Sequence, residues 1–249
     1  MDVSFGRQTK LKYDKKIIVI MIAIAIVLVA ITKCTYGIIE DAKINLYNIN
    51  NATIGIDVSE HQGEINWWKV RRENIKFAFV RVGYRAAKTG IMNEDKYYKE
   101  NIEGALKEGI PVGVYFFSQA TTTEEAKEEA DFVIKRIADY DITYEVVFDM
   151  ESVYGKNDRI YGLSTEEKTK IANAFCKNIK SAGYTPMIYG NEQWLLGSYN
   201  MKELKKYNIW YAWYSKEPNS AIDFKIWQYT NKGNVNGIDG DVDCDYYFK

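Results

Sequence analysis

Hydrophobic and polar positions divide the chain into an apolar N-terminal run and a longer region in which two periodicities alternate. Short runs rich in Val, Ile, Tyr and Phe have the composition of strands, and between them lie segments with apolar residues three to four positions apart. The eight runs typical of strands are 54–59, 76–84, 111–118, 144–151, 185–191, 209–214, 224–230 and 240–247. Strands that alternate with helices indicate parallel pairing through crossover helices.

Three segments between these strands have the apolar period of helices. Residues 122–140 carry one apolar stripe, and residues 94–108 form a shorter helical pattern. Residues 164–183 begin with Ser164 and Glu167, which have the spacing of a capping box. These signals predict helices that cover the outside of a sheet.

The number of strands determines the predicted architecture. About eight strands in about 200 residues predict an α/β fold built as an irregular (β/α) TIM-like barrel. A doubly wound open sheet is the alternative. The sequence contains no G-x-G-x-x-G motif and no Walker loop, so the nucleotide sites common in open sheets are not expected.

The N-terminal run has the character of a membrane anchor. Residues 17–31 contain no charged or polar side chain, and as a helix they would extend about 23 Å. Lys16 and Lys33 can reach the two interfaces, which brings the length closer to the hydrocarbon core of about 30 Å. Residues 1–33 hold six Lys or Arg and two Asp, so positive charge precedes the run and predicts an N-terminus inside the cell.

This reading predicts four parts of the chain: a cytoplasmic basic segment at 1–16, a transmembrane signal-anchor at 17–33, a linker at 34–52 and a catalytic domain at 53–249. The expected localisation is the cell membrane, with a single pass and the domain outside. Secretion after signal cleavage is the alternative, but the sequence AITKCTYG lacks the small-x-small pattern of a cleavage site.

Composition removes several classes of function. The net charge is −1, which does not favour nucleic acid as a partner. The chain has one histidine and neither an H-E-x-x-H motif nor paired C-x-x-C motifs, so we expect no metal and no cofactor. Three cysteines are too few for a disulfide framework. We expect a monomer.

The stretch VVFDMES at 146–152 places two acids on one face of a strand. Side chains alternate along a strand, so Val147, Asp149 and Glu151 share a face, and Asp57 takes the same face of the first strand. In a barrel this face is the interior, and the ends of these strands lie at the mouth where active sites are found. Asp243 lies in an alternating acidic run that would close beside the first strand.

Converging carboxylates allow three interpretations. Glycoside hydrolysis needs one protonated carboxyl and one ionised carboxylate, and repulsion between neighbouring acids keeps one of them protonated. A Ca²⁺ or Mg²⁺ site would use the same oxygen ligands. Buried structural carboxylates are the third interpretation, and the chemistry alone leaves all three open.

Several motifs, in this order, resemble glycoside hydrolase family 25, the Chalaropsis-type lysozymes or N-acetylmuramidases. They are GIDVSEHQGEINWWKV at 55–70, PVGVYFFSQA at 111–120, VVFDMES at 146–152, MIYGN at 187–191, IWQYT at 226–230 and GIDGDVDCDYY at 237–247. The resemblance covers roughly residues 53–249. It implies an irregular β/α barrel that cleaves the β-1,4 bond between N-acetylmuramic acid and N-acetylglucosamine, with the glycan strands of peptidoglycan as partner.

The resemblance also implies roles for individual residues. Glu151 matches the general acid, and Asp149 matches its partner, which stabilises the transition state or orients the N-acetyl group. Asp57 matches the aspartate of the first strand, and Asp243 matches the aspartate of the closing V-D motif. The positions matched to substrate binding are Arg81, Tyr115, Tyr189, Trp213 and Gln228.

Phe116 departs from the family pattern, which commonly has His at this position.

Two rival functions remain at this point. One is a catalytically silent protein that binds cell-wall glycan in the same groove. The other is a hydrolase of a different amino sugar polymer.

Overall fold

The computed structural model describes residues 21–22, 24–33, 35, 49–217 and 222–248. Contacts within the chain separate two units, with the boundary between residues 46 and 47. All the strands of the described residues belong to the second unit.

The described part of the predicted anchor is helical. Residues 21–22, 24–33 and 35 are assigned to helix, and their side chains are exposed. The predicted basic segment at 1–16 and most of the predicted linker lie outside the described residues. Among the residues that are described, no helix has both the length and the hydropathy that a membrane span requires.

One sheet contains nine strands. They are β1 Thr53–Val58, β2 Phe77–Arg85, β3 Met92–Glu94, β4 Val112–Ser118, β5 Ile142–Met150, β6 Pro186–Asn191, β7 Asn208–Ala212, β8 Ile226–Gly233 and β9 Val242–Tyr247. Pairing runs from β1 through β2, β4, β5, β6, β7, β8 and β9 and back to β1, while β3 pairs with β2 as a hairpin. The sheet is therefore a closed eight-stranded barrel, and the alternative of an open sheet is wrong.

The last strand of the barrel has the opposite direction. The pairs from β1 to β8 around the barrel are parallel, but β9 is antiparallel to both β8 and β1. Its N-terminal end therefore lies beside the C-terminal end of β1, where Asp243 pairs with Asp57. The predicted closure beside the first strand is confirmed, and the reversal places Asp243 at the mouth of the barrel.

The α-helices described in the second unit are α1 Trp67–Arg72, α2 Tyr98–Lys107, α3 Thr123–Ile137, α4 Thr165–Ser181 and α5 Met201–Leu204. Ser164 caps α4 as predicted, because its hydroxyl accepts a hydrogen bond from the Glu167 amide at 3.2 Å and the Glu167 carboxylate accepts one from the Ser164 amide at 2.7 Å. The segment predicted as a helix from residue 94 begins at Tyr98, because β3 ends at Glu94 and a turn at 96–97 precedes the helix.

Strand alternation separates two apolar layers. Val146, Phe148 and Met150 of β5 pack outward against the helices, and Val147 packs inside the barrel. The interior is filled by rings such as Phe77, and Gly55 leaves room for this ring because a Cβ there would overlap it. The barrel is thus a packed core, and space for a ligand is found at its mouth.

Candidate active site

A pocket of about 300 Å³ opens at the mouth of the barrel, where the parallel strands end. Eight of the nine residues predicted for the site line it: Asp57, Arg81, Tyr115, Asp149, Glu151, Tyr189, Gln228 and Asp243. They come from β1, β2, β4, β5, β6, β8 and β9, with Glu151 directly after β5. The structure therefore brings together carboxylates that are up to 186 positions apart, as in Asp57 and Asp243.

Trp213 is the exception and requires a correction. Its ring lies nearly parallel to that of Tyr211, with centroids 6.2 Å apart, in the layer between the barrel and the helices. Tyr214 lines the pocket instead. Because Trp210 and Ala212 of β7 face the interior, strand alternation assigns the interior to position 214 and the outside to position 213.

Phe116 lies outside the pocket for the same reason. The side chain is fully buried in the outer layer, where its ring meets Phe132 edge to face at 5.5 Å. Its neighbours Tyr115 and Phe117 face the mouth. The departure from the family pattern at this position therefore changes the packing between barrel and helix, and leaves the pocket lining unchanged.

Gln228 holds Asp57 in place. Its amide nitrogen donates a hydrogen bond to Oδ2 of Asp57 at 2.8 Å. Its amide oxygen accepts hydrogen bonds from the hydroxyl groups of Tyr189 and Tyr214, each at 3.0 Å. Both ends of the amide are used, so its orientation is fixed and the Asp57 carboxylate is fixed with it.

Asp149 offers an oxygen without a partner. The residue is 7% exposed, and its Oδ1 is buried and accepts no hydrogen bond within the described part of the chain. A buried carboxylate oxygen without a donor is costly, and such groups are concentrated at functional sites. A substrate N–H or O–H would satisfy this atom.

The electrostatics of the pocket favour protonated carboxyls. Burial, followed by the charge of Asp243, raises the pKa of Glu151 to about 7. Burial raises the pKa of Asp243 to about 6. Burial and the charge of Glu151 hold the pKa of Asp149 well above its usual range, and burial with the charges of Asp243 and Asp245 does the same for Asp57.

Arg81 supplies positive charge at one wall, but carboxylates outside the acid cluster share it. Its Nε donates to Oδ2 of Asp95 at 2.8 Å, and a terminal nitrogen donates to Oε1 of Glu60 at 3.1 Å. Asp95 also accepts a hydrogen bond from the Glu60 amide at 2.9 Å, which fixes the turn after β1. The guanidinium therefore positions this wall and leaves the acid cluster only partly neutralised.

Two residues without a role predicted from the sequence contact residues of the site. Asp245 is fully buried and accepts a hydrogen bond from Nε1 of Trp210 at 2.8 Å. Gln119 donates from its side chain to the backbone oxygen of Glu151 at 2.6 Å, and its own backbone oxygen accepts from Arg159 at 2.9 Å. Alternation in β9 points to Asp245, whereas no sequence signal points to Gln119.

The arrangement suits acid catalysis with an anionic partner. One carboxyl with a pKa near neutrality can donate a proton, and a neighbouring carboxylate can face positive charge. Among the described residues, no group of three or more His, Cys, Asp or Glu side chains has the arrangement of a metal site.

Comparison with known proteins assigns the family. The model for glycosyl hydrolases family 25 matches residues 56–238. The chain belongs to this family. The match includes Asp57, Asp149 and Glu151 and agrees with the resemblance found in the sequence.

Individual relatives are similar over the same region. Lysozyme M1 of Streptomyces globisporus is 30% identical over 200 residues, which are 76% of this chain and 65% of the relative. The autolysin LytC of Streptococcus pneumoniae, solved with a synthetic peptidoglycan ligand, is 30% identical with a TM-score of 0.70, over 79% of this chain and 47% of that one. A bacterial lysozyme from Streptomyces coelicolor is 26% identical with a TM-score of 0.63, over 78% of this chain and 91% of that one. This chain thus spans less than two thirds of the length of the first two.

Proposed function

We propose that this protein is an N-acetylmuramidase that hydrolyses the β-1,4 bond between N-acetylmuramic acid and N-acetylglucosamine in peptidoglycan. The observation that carries the proposal is the convergence of Asp57, Asp149, Glu151 and Asp243 on one pocket in a family 25 barrel. The lysozyme relatives and the peptidoglycan ligand of the LytC structure support the choice of substrate.

Glu151 is the proposed general acid. Its carboxyl lines the pocket, and the pKa of about 7 keeps much of it protonated at neutral pH. Donation of this proton to the glycosidic oxygen lets the leaving sugar depart as an alcohol, while positive charge develops on the remaining sugar ring. Gln119 holds the backbone of Glu151 at 2.6 Å and so limits where the carboxyl can point.

Asp149 is the proposed partner of the acid. Its unpartnered Oδ1 is available to accept a hydrogen bond from the substrate, for which an N-acetyl N–H is a suitable donor. The charge of Glu151 raises the pKa of Asp149, so the two carboxyls resist being ionised together. When Asp149 is ionised, its negative charge stabilises positive charge on the sugar. Asp57 and Asp243 line the same pocket, and Gln228 fixes the direction of Asp57.

Product analysis tests the bond that is cleaved. Purified peptidoglycan is incubated with the full chain, new reducing ends are reduced with borohydride, and the fragments are identified by mass spectrometry. We expect reduced N-acetylmuramic acid at the new ends. Reduced N-acetylglucosamine would contradict the proposed bond. Binding to sacculi without new ends would support the silent glycan-binding protein, and faster release from chitin would support a hydrolase of another polymer.

We also propose the four-part organisation predicted from sequence, with a signal-anchor at residues 17–33 that holds the catalytic domain on the outer side of the cell membrane. The basic flank and the uncharged run support it. Tethering would raise the effective concentration of the domain at the wall. Fractionation of cells that express the full chain tests this: the protein should stay with membranes after alkaline extraction. Release into the medium at a lower mass would show cleavage instead.

A further inference from the structure

A second cleft, of about 600 Å³, opens beside the catalytic pocket. The two share His61, Arg81 and Phe117, so they are continuous at this wall. The second cleft extends from there across the end of β2 to the turn that leads into β3, and the loop after Glu151 forms its other side. A group attached to a substrate that is bound at Glu151 could therefore extend into this cleft.

The cleft offers one cation that no carboxylate neutralises. Arg85 lines the cleft but is paired with Glu129 at 2.7 Å, and Arg81 is paired with Asp95. Lys88 is exposed and makes no ion pair with the described residues. Its ammonium lies 4.7 Å from the centre of the Tyr154 ring. A free cation on an aromatic wall favours an anionic ligand.

The two sides next to Lys88 are largely apolar, while polar groups elsewhere in the lining come from Glu60, His61, Tyr84 and Thr89. Ala86 and Ala87 line one side of the cleft, and Val153 and Tyr154 line the other. Val153 is 50% exposed and Tyr154 is 54% exposed, so both side chains have free apolar surface that a ligand can cover. Small apolar sides next to one cation suit a ligand with methyl groups and a carboxylate.

The loop that forms the outer side is held in place. Oδ2 of Asp158 accepts hydrogen bonds from the Ser152 hydroxyl at 2.6 Å and the Val153 amide at 2.9 Å. The Arg159 amide donates to the backbone oxygen of Ala87 at 2.9 Å, which ties the loop to the opposite wall. The cleft is thus formed before a ligand binds, which lowers the entropic cost of binding.

We propose that this cleft binds a peptide attached to the glycan, with a peptide carboxylate on Lys88 and alanine-like methyl groups on the apolar walls. The inference rests on the proposed function, because the peptides of peptidoglycan are rich in alanine and carry carboxylates. It makes this protein selective for glycan strands that still bear their peptides. A phosphate polymer attached to the wall is a second source of anions, and the experiment separates the two sources.

The test compares kcat/KM on two preparations of glycan strands. Both are treated with hydrofluoric acid to remove phosphate polymers, and one is then stripped of peptides with an amidase. We expect the full chain to prefer the peptide-bearing strands about tenfold, which is the range of one hydrogen bond to a charged group. Lys88→Glu should remove this preference, with a rate on peptide-free strands within about twofold of the parent because Lys88 is exposed.

Lys177→Glu is the matched control, since Lys177 is an exposed lysine on α4. It should keep the tenfold preference. Equal rates of the parent on both preparations, or a preference that survives Lys88→Glu, would overturn the inference while leaving the muramidase intact. Strands that have not been treated with hydrofluoric acid are assayed in parallel, and a dependence on Lys88 that is found only with them would also overturn the inference, in favour of phosphate. Failure of the proposed function has a different signature, because neither preparation would be cleaved.

Discussion

Glu129 and Glu151 have pKa values raised to about 7, yet they have opposite surroundings. Burial is the first cause for each. Glu129 is 0% exposed, and its carboxylate accepts hydrogen bonds from Nε of Arg85 at 2.7 Å and from the Ser118 hydroxyl at 2.6 Å. The Glu151 carboxylate lines an open pocket and accepts no hydrogen bond from the described residues.

The comparison distinguishes a carboxyl with a structural role from one that is free to react with a substrate. Arg85 and Ser118 tie β2 and β4 to α3 through Glu129, so both carboxylate oxygens of Glu129 are already used by the fold. Glu151 has only a neighbouring carboxylate and a fixed backbone, so its proton is available to a substrate. A raised pKa alone shows that a carboxyl is buried. A carboxyl that also has no hydrogen-bond donor from the protein is the one that can give its proton to a substrate.

Removal of the Glu129 carboxylate should give the largest effect on folding. Glu129→Ala leaves Arg85 without its closest buried partner, so we expect a loss of about 3 kcal/mol in the free energy of unfolding. Urea unfolding followed by fluorescence measures this loss. Glu128→Ala is the control, since the Glu128 carboxylate is exposed and lies 3.3 Å from the same arginine. A loss below about 1 kcal/mol in the control is expected, and equal losses would contradict the assignment.

Gln119→Ala should act on catalysis through the position of Glu151. The side chain touches the backbone of Glu151 and is absent from the pocket lining, so we expect kcat to fall about tenfold while KM stays unchanged. Steady-state kinetics on soluble glycan fragments separate the two constants. Thermal unfolding of the same sample supplies the folded fraction. A parent-like kcat in the folded variant would show that this hydrogen bond does not position the acid.

Glu151→Gln should become relatively more stable as the pH rises. The pKa of Glu151 is higher in the folded state than in the unfolded chain, so the carboxyl favours folding below about 4.5, and this contribution is lost as the pH rises to about 7. Glutamine does not titrate. The Tm advantage of the variant should therefore increase between pH 5 and pH 8, by about 5–10 °C. A constant difference would mean that the proton is held no more tightly than in the unfolded chain.

Strand alternation was sufficient to predict much of the site. The period of two toward the end of β5 placed Asp149 and Glu151 on the side of the pocket, where both residues are found, and this part of the strand is buried on both faces. The same rule assigns Tyr214 to the pocket, whereas similarity to the family led to Trp213. Local periodicity was the better guide there.

Other features depend on contacts between distant parts of the chain. The antiparallel direction of β9 follows from pairing with both β8 and β1, which no local pattern encodes. Glu129 resembles a surface residue of an amphipathic helix, and its burial depends on Arg85, 44 positions earlier. Gln119 likewise acquires its role from a backbone oxygen 32 positions later.

The most direct test of the account is the rate at which Glu151→Gln releases reducing ends from purified peptidoglycan, compared with the parent at neutral pH. Glutamine keeps the shape of the side chain but cannot donate the proton. We expect the rate to fall about a thousandfold in a protein that remains folded. A folded variant that hydrolyses peptidoglycan at the parental rate would contradict the assignment of Glu151 as the general acid.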